Sequence, residues 1–142
     1  MISFSDYVRA VAARAGLRVQ QQSDFEVTAD FDMGDKRTQR VWIGLVGEDS
    51  EGNLIISISS PAHRMRPGQK LSLEFANQLL CENASLAHGA WAIRKTKEYD
   101  YLVMFDTQIV GSMDPEELRA SVVAVAARAD QMEKKITGGD VF

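Results

Sequence analysis

The chain has 142 residues, 45% of them hydrophobic, and a formal net charge of −4. That length fits a single domain, residues 1–142, and the apolar content is that of a chain with a proper core rather than a disordered one. The acidic balance excludes a surface built for phosphate backbones, which runs on clustered Lys and Arg, so no nucleic acid is expected as a partner.

A single cysteine rules out an internal disulfide and fits a reducing compartment. The opening Met1-Ile2-Ser3-Phe4-Ser5-Asp6 has neither the basic start nor the apolar run of a signal peptide. No apolar stretch approaches the roughly 18 to 20 residues that span a bilayer. The expectation is a soluble, cytoplasmic protein without membrane insertion.

Ser3-Phe4-Ser5-Asp6 has the spacing of a helix N-terminus, and Phe4, Tyr7, Val8, Val11, Ala12 and Ala15 follow at helical spacing on one side. Gly16 stops that helix. Residues 25–32 alternate strictly, which predicts a half-buried strand with Phe25, Val27, Ala29 and Phe31 inward. After the turn at 33–36, Arg40 to Val46 predicts a second strand, with Val41, Ile43 and Leu45 on one face and Trp42 and Val46 on the other. A polar loop at 48–53 leads to a third strand over 54–58. Short turns make the three an antiparallel meander.

Pro61 and Arg66-Pro67-Gly68 break the pattern before a helix over 69–86. Leu71, Phe75, Leu79 and Leu86 form one apolar stripe of that helix; Leu73, Ala76, Leu80 and Ala84 form a second. The joint arc is about 200° wide, against the ~100° that a one-sided surface helix needs. One side can meet the chain's own sheet; the other needs a helix, a subunit or a ligand. Residues 89–94 predict a fourth strand and Tyr101 to Phe105 a fifth, apolar on both faces. Asp114-Pro115-Glu116-Glu117 combines an N-cap, proline at the first helical position and a returning glutamate. Leu118, Val122, Val125, Ala129, Met132 and Ile136 then hold one stripe until Gly138-Gly139, and residues 138–142 are expected to form a short flexible tail. The order is helix, three strands, helix, two strands, helix, which gives an α+β class with a mostly antiparallel sheet packed with helices.

Catalytic patterns do not emerge. No P-loop, G-x-G-x-x-G or G-x-S-x-G elbow occurs, and Ser57, Ser59 and Ser60 have no histidine partner in sequence. Asp30, Asp32, Gly34 and Asp35 begin like a calcium loop, but Asp35 stands where the glycine belongs and Val41 where the glutamate belongs. His63 and His88 lack ligand-spaced neighbours, and nothing basic is placed to activate Cys81. No enzyme, metal or cofactor is expected. Arg64 and Arg66 in the loop His63-Arg64-Met65-Arg66 are a candidate anion site. Surplus apolar surface is the remaining signal: Trp42, Val46 and Ile55 on the second face of the meander, Leu102 and Met104 on the second face of the fifth strand. Either three helices cover both sheet faces, or part of this surface meets another chain.

This succession, with the acidic balance and the entry Met113-Asp114-Pro115-Glu116-Glu117-Leu118, resembles the YbjN family and is similar to type III secretion chaperones of the Tir-chaperone kind. It spans Ser3 to Ile136 and rests on element order, Leu79-Leu80, Trp91, Ile93 and Leu118. Similarity to the chaperones implies a small bacterial homodimer that holds an extended client segment without ATP, its middle helix building the dimer contact. Similarity to YbjN implies the same fold in a regulatory or peptide-binding role. Joined to the two-stripe helix, this assigns Leu73, Ala76, Leu80 and Ala84 to the dimer contact, with the Leu71, Phe75 and Leu79 side on the sheet. Trp42, Val46, Ile55, Leu102 and Met104 become candidate client contacts, at the surface or along a sheet edge. The competing expectation is a small-ligand sensor with Arg64 and Arg66 as its anion site.

Overall fold

The structure, a computed structural model, describes residues 4–137. Ser3, the Gly138-Gly139 stop and the tail over 138–142 lie outside those residues. The class is α+β: α1 (Phe4–Arg14), β1 (Val19–Ser23), β2 (Glu26–Gly34), β3 (Arg37–Glu48), β4 (Leu54–Met65), α2 (Leu73–Asn83), β5 (Ala90–Lys95), β6 (Asp100–Ile109), a single 3-10 turn and α3 (Pro115–Thr137). Six strands form one sheet in the order β1-β2-β3-β4-β6-β5, every neighbouring pair antiparallel.

The first strand, Val-Gln-Gln-Gln-Ser, adds a fourth member to the expected meander. It carries no apolar alternation because it is a sheet edge. Gln21 is held by its amide, whose Nε2 donates to Ser5 Oγ of α1 at 3.1 Å, and Gln22 Nε2 donates to Thr28 Oγ1 at 2.9 Å. Phe25, expected inward, sits at the tip of the β1–β2 hairpin and is 60% exposed.

β4 runs on to Met65, through Pro61, although it is a central strand. Proline cannot donate to a ladder and is found at bulges; here the register with β6 shifts between Pro61 and His63. On the β3 side the lost bonds are replaced by side chains. Ser60 Oγ donates to the Arg40 carbonyl at 2.6 Å, and buried Gln39 donates through Nε2 to Ser60 Oγ and to the Pro61 carbonyl. The segment 63–66, expected as a loop, is therefore mostly strand.

All three helices pack on one face. Val8, Val11 and Ala12 of α1, Leu79 of α2 and Leu118, Val122, Val125 and Ala129 of α3 join Val41, Ile43, Ile56, Ile58, Leu102 and Met104 in one core cluster. Each large aliphatic chain so buried contributes about 1.5–3 kcal/mol. α3 is set by the capping box read from sequence: Glu117 N–H donates to Asp114 Oδ1 at 2.7 Å and Asp114 N–H to Glu117 Oε2 at 3.1 Å. At its other end Arg37 of β3 ties it down, pairing with Asp130 at 2.9 Å and fully buried Glu133 at 3.1 Å.

α2 is shorter than 69–86. Ser72 caps it, accepting the Phe75 N–H at 3.1 Å, and Ala84 ends it. Leu79 is buried, and Leu71, Phe75 and Leu86 pack partly buried against the core. The second stripe stays outside: Leu73 is 79% and Leu80 66% exposed, Ala84 is exposed and Ala76 half-buried. One chain buries one side of this helix.

Among the described residues no helix is long and apolar enough to cross a membrane.

Candidate functional site: the concave sheet face

With the helices on one side, the other face of the sheet is left without a covering layer. It is also strongly curled. In a flat sheet β2 and β5, four strand spacings apart, would lie about 19 Å from each other, too far for two side chains to meet. Yet Arg94 Nη2 of β5 lies 3.2 Å from Glu26 Oε2 of β2. Coiling of the sheet, helped by register shifts at Gly47 in β3 and at Pro61 in β4, brings the two sides together.

The curl makes a groove of about 670 Å³ between the β1–β2 hairpin and β5. Its floor is cut from small residues, Gly44, Ser57, Ser59 and Ala92, while Trp42 and Phe105 stand as walls. Gly44 leaves the floor open there: a Cβ at this position would sit in ordinary contact with the Phe25 carbonyl oxygen at 3.6 Å and the Glu26 carboxylate at 3.7 Å. A second depression of about 490 Å³ continues past Trp42 to Tyr101, Pro61, Arg40 and Arg64. Both volumes lie in the range of small-molecule and peptide sites.

A string of rings and guanidinium groups joins the two. Arg94 Cζ lies 4.6 Å above the Trp42 ring; Trp42 meets Tyr101 edge-on at 5.4 Å; Tyr101 meets Tyr99 at 6.1 Å; Arg64 Cζ lies 4.5 Å above Tyr99. Stacking of this kind holds a guanidinium by its face and leaves its N–H edge for other partners. Arg40 pairs across the strands with Asp30 at 2.9 Å. Hydrogen bonding to that carboxylate raises the Arg40 pKa above its ordinary value, opposed by burial and aided by the charge of Asp30.

The sequence-derived client contacts divide between the two faces. Trp42 is at the centre of the groove and Val46, 65% exposed, at its rim. Alternation along β4 puts Ile55 on the same face as Ser57 and Ser59, towards the end of the strand. Leu102 and Met104 are a correction: they are 1% and 0% exposed, in the core under the helices. Tyr101, Val103 and Phe105 occupy the concave face instead. Because β6 is apolar on both sides, alternation allowed either set inward; Met104 opposite Trp91 and Ser60, both buried, decides it. Arg64 lies on this face, whereas Arg66 is exposed on the turn beyond β4, where its amide donates to Gln69 Oε1. The guanidinium sharing the depression with Arg64 is that of Arg40.

Residues missed in the sequence are Tyr101, Phe105, Arg94 and Arg40. The i, i+2 pair Tyr99 and Tyr101, and a lone arginine at an alternating strand position, were the available signals.

A second cluster brings serine, carboxylate and histidine together. Ser121 Oγ donates to Asp106 Oδ2 at 2.7 Å, and His88 Nδ1 is 4.0 Å from the same oxygen. The order is wrong for nucleophilic catalysis, which needs the imidazole between serine and acid, and Ser121 is fully buried. No group of three or more His, Cys, Asp or Glu among the described residues is placed to hold a metal ion. Compared with known proteins, the chain matches no family model and no curated protein sequence.

Proposed function

We propose that the protein is a non-enzymatic, chaperone-like module of the YbjN and secretion-chaperone kind, working in the cytoplasm without a cofactor. It holds an extended segment of a client protein on the concave sheet face. The observation that carries this reading is the asymmetry of the sheet: three helices on one face, and on the other a groove walled by Trp42 and Phe105 over a floor of Gly44 and Ser57. A lone fold gains nothing from exposing aromatic rings over small residues, whereas an extended peptide fits such a trough. Edge addition is less favoured at β5, because Asn83 occupies it: Trp91 N–H donates to Asn83 Oδ1 at 2.7 Å, and Asn83 Nδ2 donates to the Trp91 carbonyl.

The test is an array of twelve-residue peptides of varied sequence. Binding peptides should compete with one another and lose affinity at least ten-fold in Trp42→Ala and Phe105→Ala, with melting temperatures moved by only a few degrees. An array without binders, or binders indifferent to both substitutions, would overturn the reading.

The same proposal makes the protein a homodimer through α2, with Leu73, Ala76, Leu80 and Ala84 as the contact. What supports it is an apolar stripe that one chain leaves outside. Light scattering at micromolar concentration should give twice the chain mass, and Leu80→Glu should halve it. A monomer in the unmodified protein would remove the dimer and leave the groove reading standing.

A further inference from the structure

We infer that the segment seated on the concave face is acidic, and that Arg64 receives one of its carboxylates. This rests on the reading of that face as a docking surface. Three guanidinium groups border the trough. Arg94 is paired with Glu26 and Arg40 with Asp30. Arg64 is stacked on Tyr99, and among the described residues no carboxylate lies within ion-pair distance of it. The two pairs cancel, and Asp32, on the same face as Asp30, lies towards the β2–β3 turn, so among the described residues Arg64 is the guanidinium of the three left without a carboxylate partner. An unmatched guanidinium held at the Tyr99 end of the trough is a local complement to an anionic group of the partner.

The stacking decides which anion. Arg94 covers the Trp42 ring and Arg64 covers the Tyr99 ring, so both rings already have a face taken. Tyr101 meets each of them edge-on. Nucleobases bind single-strand platforms by stacking on open ring faces, and here one face of each of these two rings is already covered by a guanidinium. Carboxylates need the N–H edge of a guanidinium held in place, and that is what a stacked arginine presents. Pre-orientation by Tyr99 also lowers the rotamer entropy lost when the pair forms. Along β4 the face runs from Arg64 to Ser57, about 23 Å at the strand rise, which matches an extended segment of about seven residues. Its apolar residues would lie over Gly44 and Ser57, beside Trp42, with an acidic residue at the Tyr99 end.

The experiment uses the full chain and three fluorescent seven-residue peptides, Val-X-Val-Thr-Val-X-Val, with X as Glu, Gln or Lys. At 50 mM salt the Glu peptide should bind about ten-fold tighter than the Gln peptide, and the Lys peptide weakest. The Glu preference should shrink towards unity at 500 mM salt. Arg64→Gln should abolish the preference while leaving the Gln peptide within two-fold; Arg66→Gln should leave both unchanged. Equal binding of the Glu and Gln peptides, lost in Trp42→Ala, would overturn the acidic preference and keep the docking surface. A preference that survives Arg64→Gln overturns the role of Arg64. A single-stranded seven-nucleotide oligomer that outcompetes the Glu peptide and is lost in Trp42→Ala overturns the peptide assignment. Failure of all three peptides to bind overturns this inference and the docking reading together.

Discussion

Several single residues hold geometry that no neighbour could supply. Gly89, between α2 and β5, has φ +84, and a Cβ there would lie 2.8 Å from the Phe105 carbonyl oxygen and 2.9 Å from Met104 Sδ. Gly52 has a similar φ of +81 with open space around it. Gly52→Ala should therefore show only the left-handed backbone cost, about 1 kcal/mol. Gly89→Ala should cost about 2–3 kcal/mol, because a backbone oxygen must also move. Urea denaturation of the two variants isolates the steric part by difference; equal losses would mean that the β5–β6 pair yields freely. Asp49 organises the neighbouring turn. Hydrogen bonds from the Asn53 side chain, then from the Asn53 and Glu51 amides, lower its pKa below the ordinary carboxylate value. A depressed carboxylate stabilises above the unfolded pKa, and that contribution is lost as pH falls through the folded value. In an NMR titration Asp49 should protonate below the ~3.9 of a free aspartate, and Asn53→Ala should move it upward.

At the scale of elements, a buried ion pair locks β3 to α3. Glu133 is fully buried and answered by Arg37, which also holds Asp130. Arg37→Met removes the guanidinium paired with the buried Glu133 carboxylate and should cost about 3–5 kcal/mol, whereas Arg37→Met with Glu133→Leu should recover most of it. Chemical denaturation of the single and double variants reads this directly; an equally unstable double variant would mean that Arg37 acts by packing alone. Elements with a chemical start signal were legible in the sequence. Asp114, Pro115 and Glu117 announce α3 because capping chemistry is local. β1 was not legible, since a polar edge strand is defined by its partner and by Gln21 reaching Ser5 of α1. The ends of α2 were misread because apolar periodicity continues through Leu71 and Leu86, which pack on the core from outside the helix. β4 outran its reading because Ser60 and Gln39 supply the hydrogen bonds that Pro61 cannot.

At the scale of the whole molecule, the question is which face of the sheet each alternating residue serves. For β2 the sequence answers it, because one side is polar. For β6 it does not: Leu102 and Met104 are as apolar as Val103 and Phe105, and only the partners opposite them break the tie. The concave groove was thus half visible, through Trp42 and Val46, and half hidden. The division gives a test in which two substitutions of similar size on one strand should behave oppositely. Met104→Ala removes a fully buried side chain beneath the helices and should cost about 2–5 kcal/mol. Phe105→Ala removes a half-buried ring from the groove wall, and should cost less stability while weakening peptide binding at least ten-fold. Met104→Ala, measured where it remains folded, should bind peptide within two-fold of the unmodified protein, because its side chain points away from the trough. Melting curves and peptide anisotropy on the same two samples decide the matter. If Met104→Ala lost binding while Phe105→Ala lost stability, the covered and the docking faces of the sheet would be exchanged, and the groove would be core.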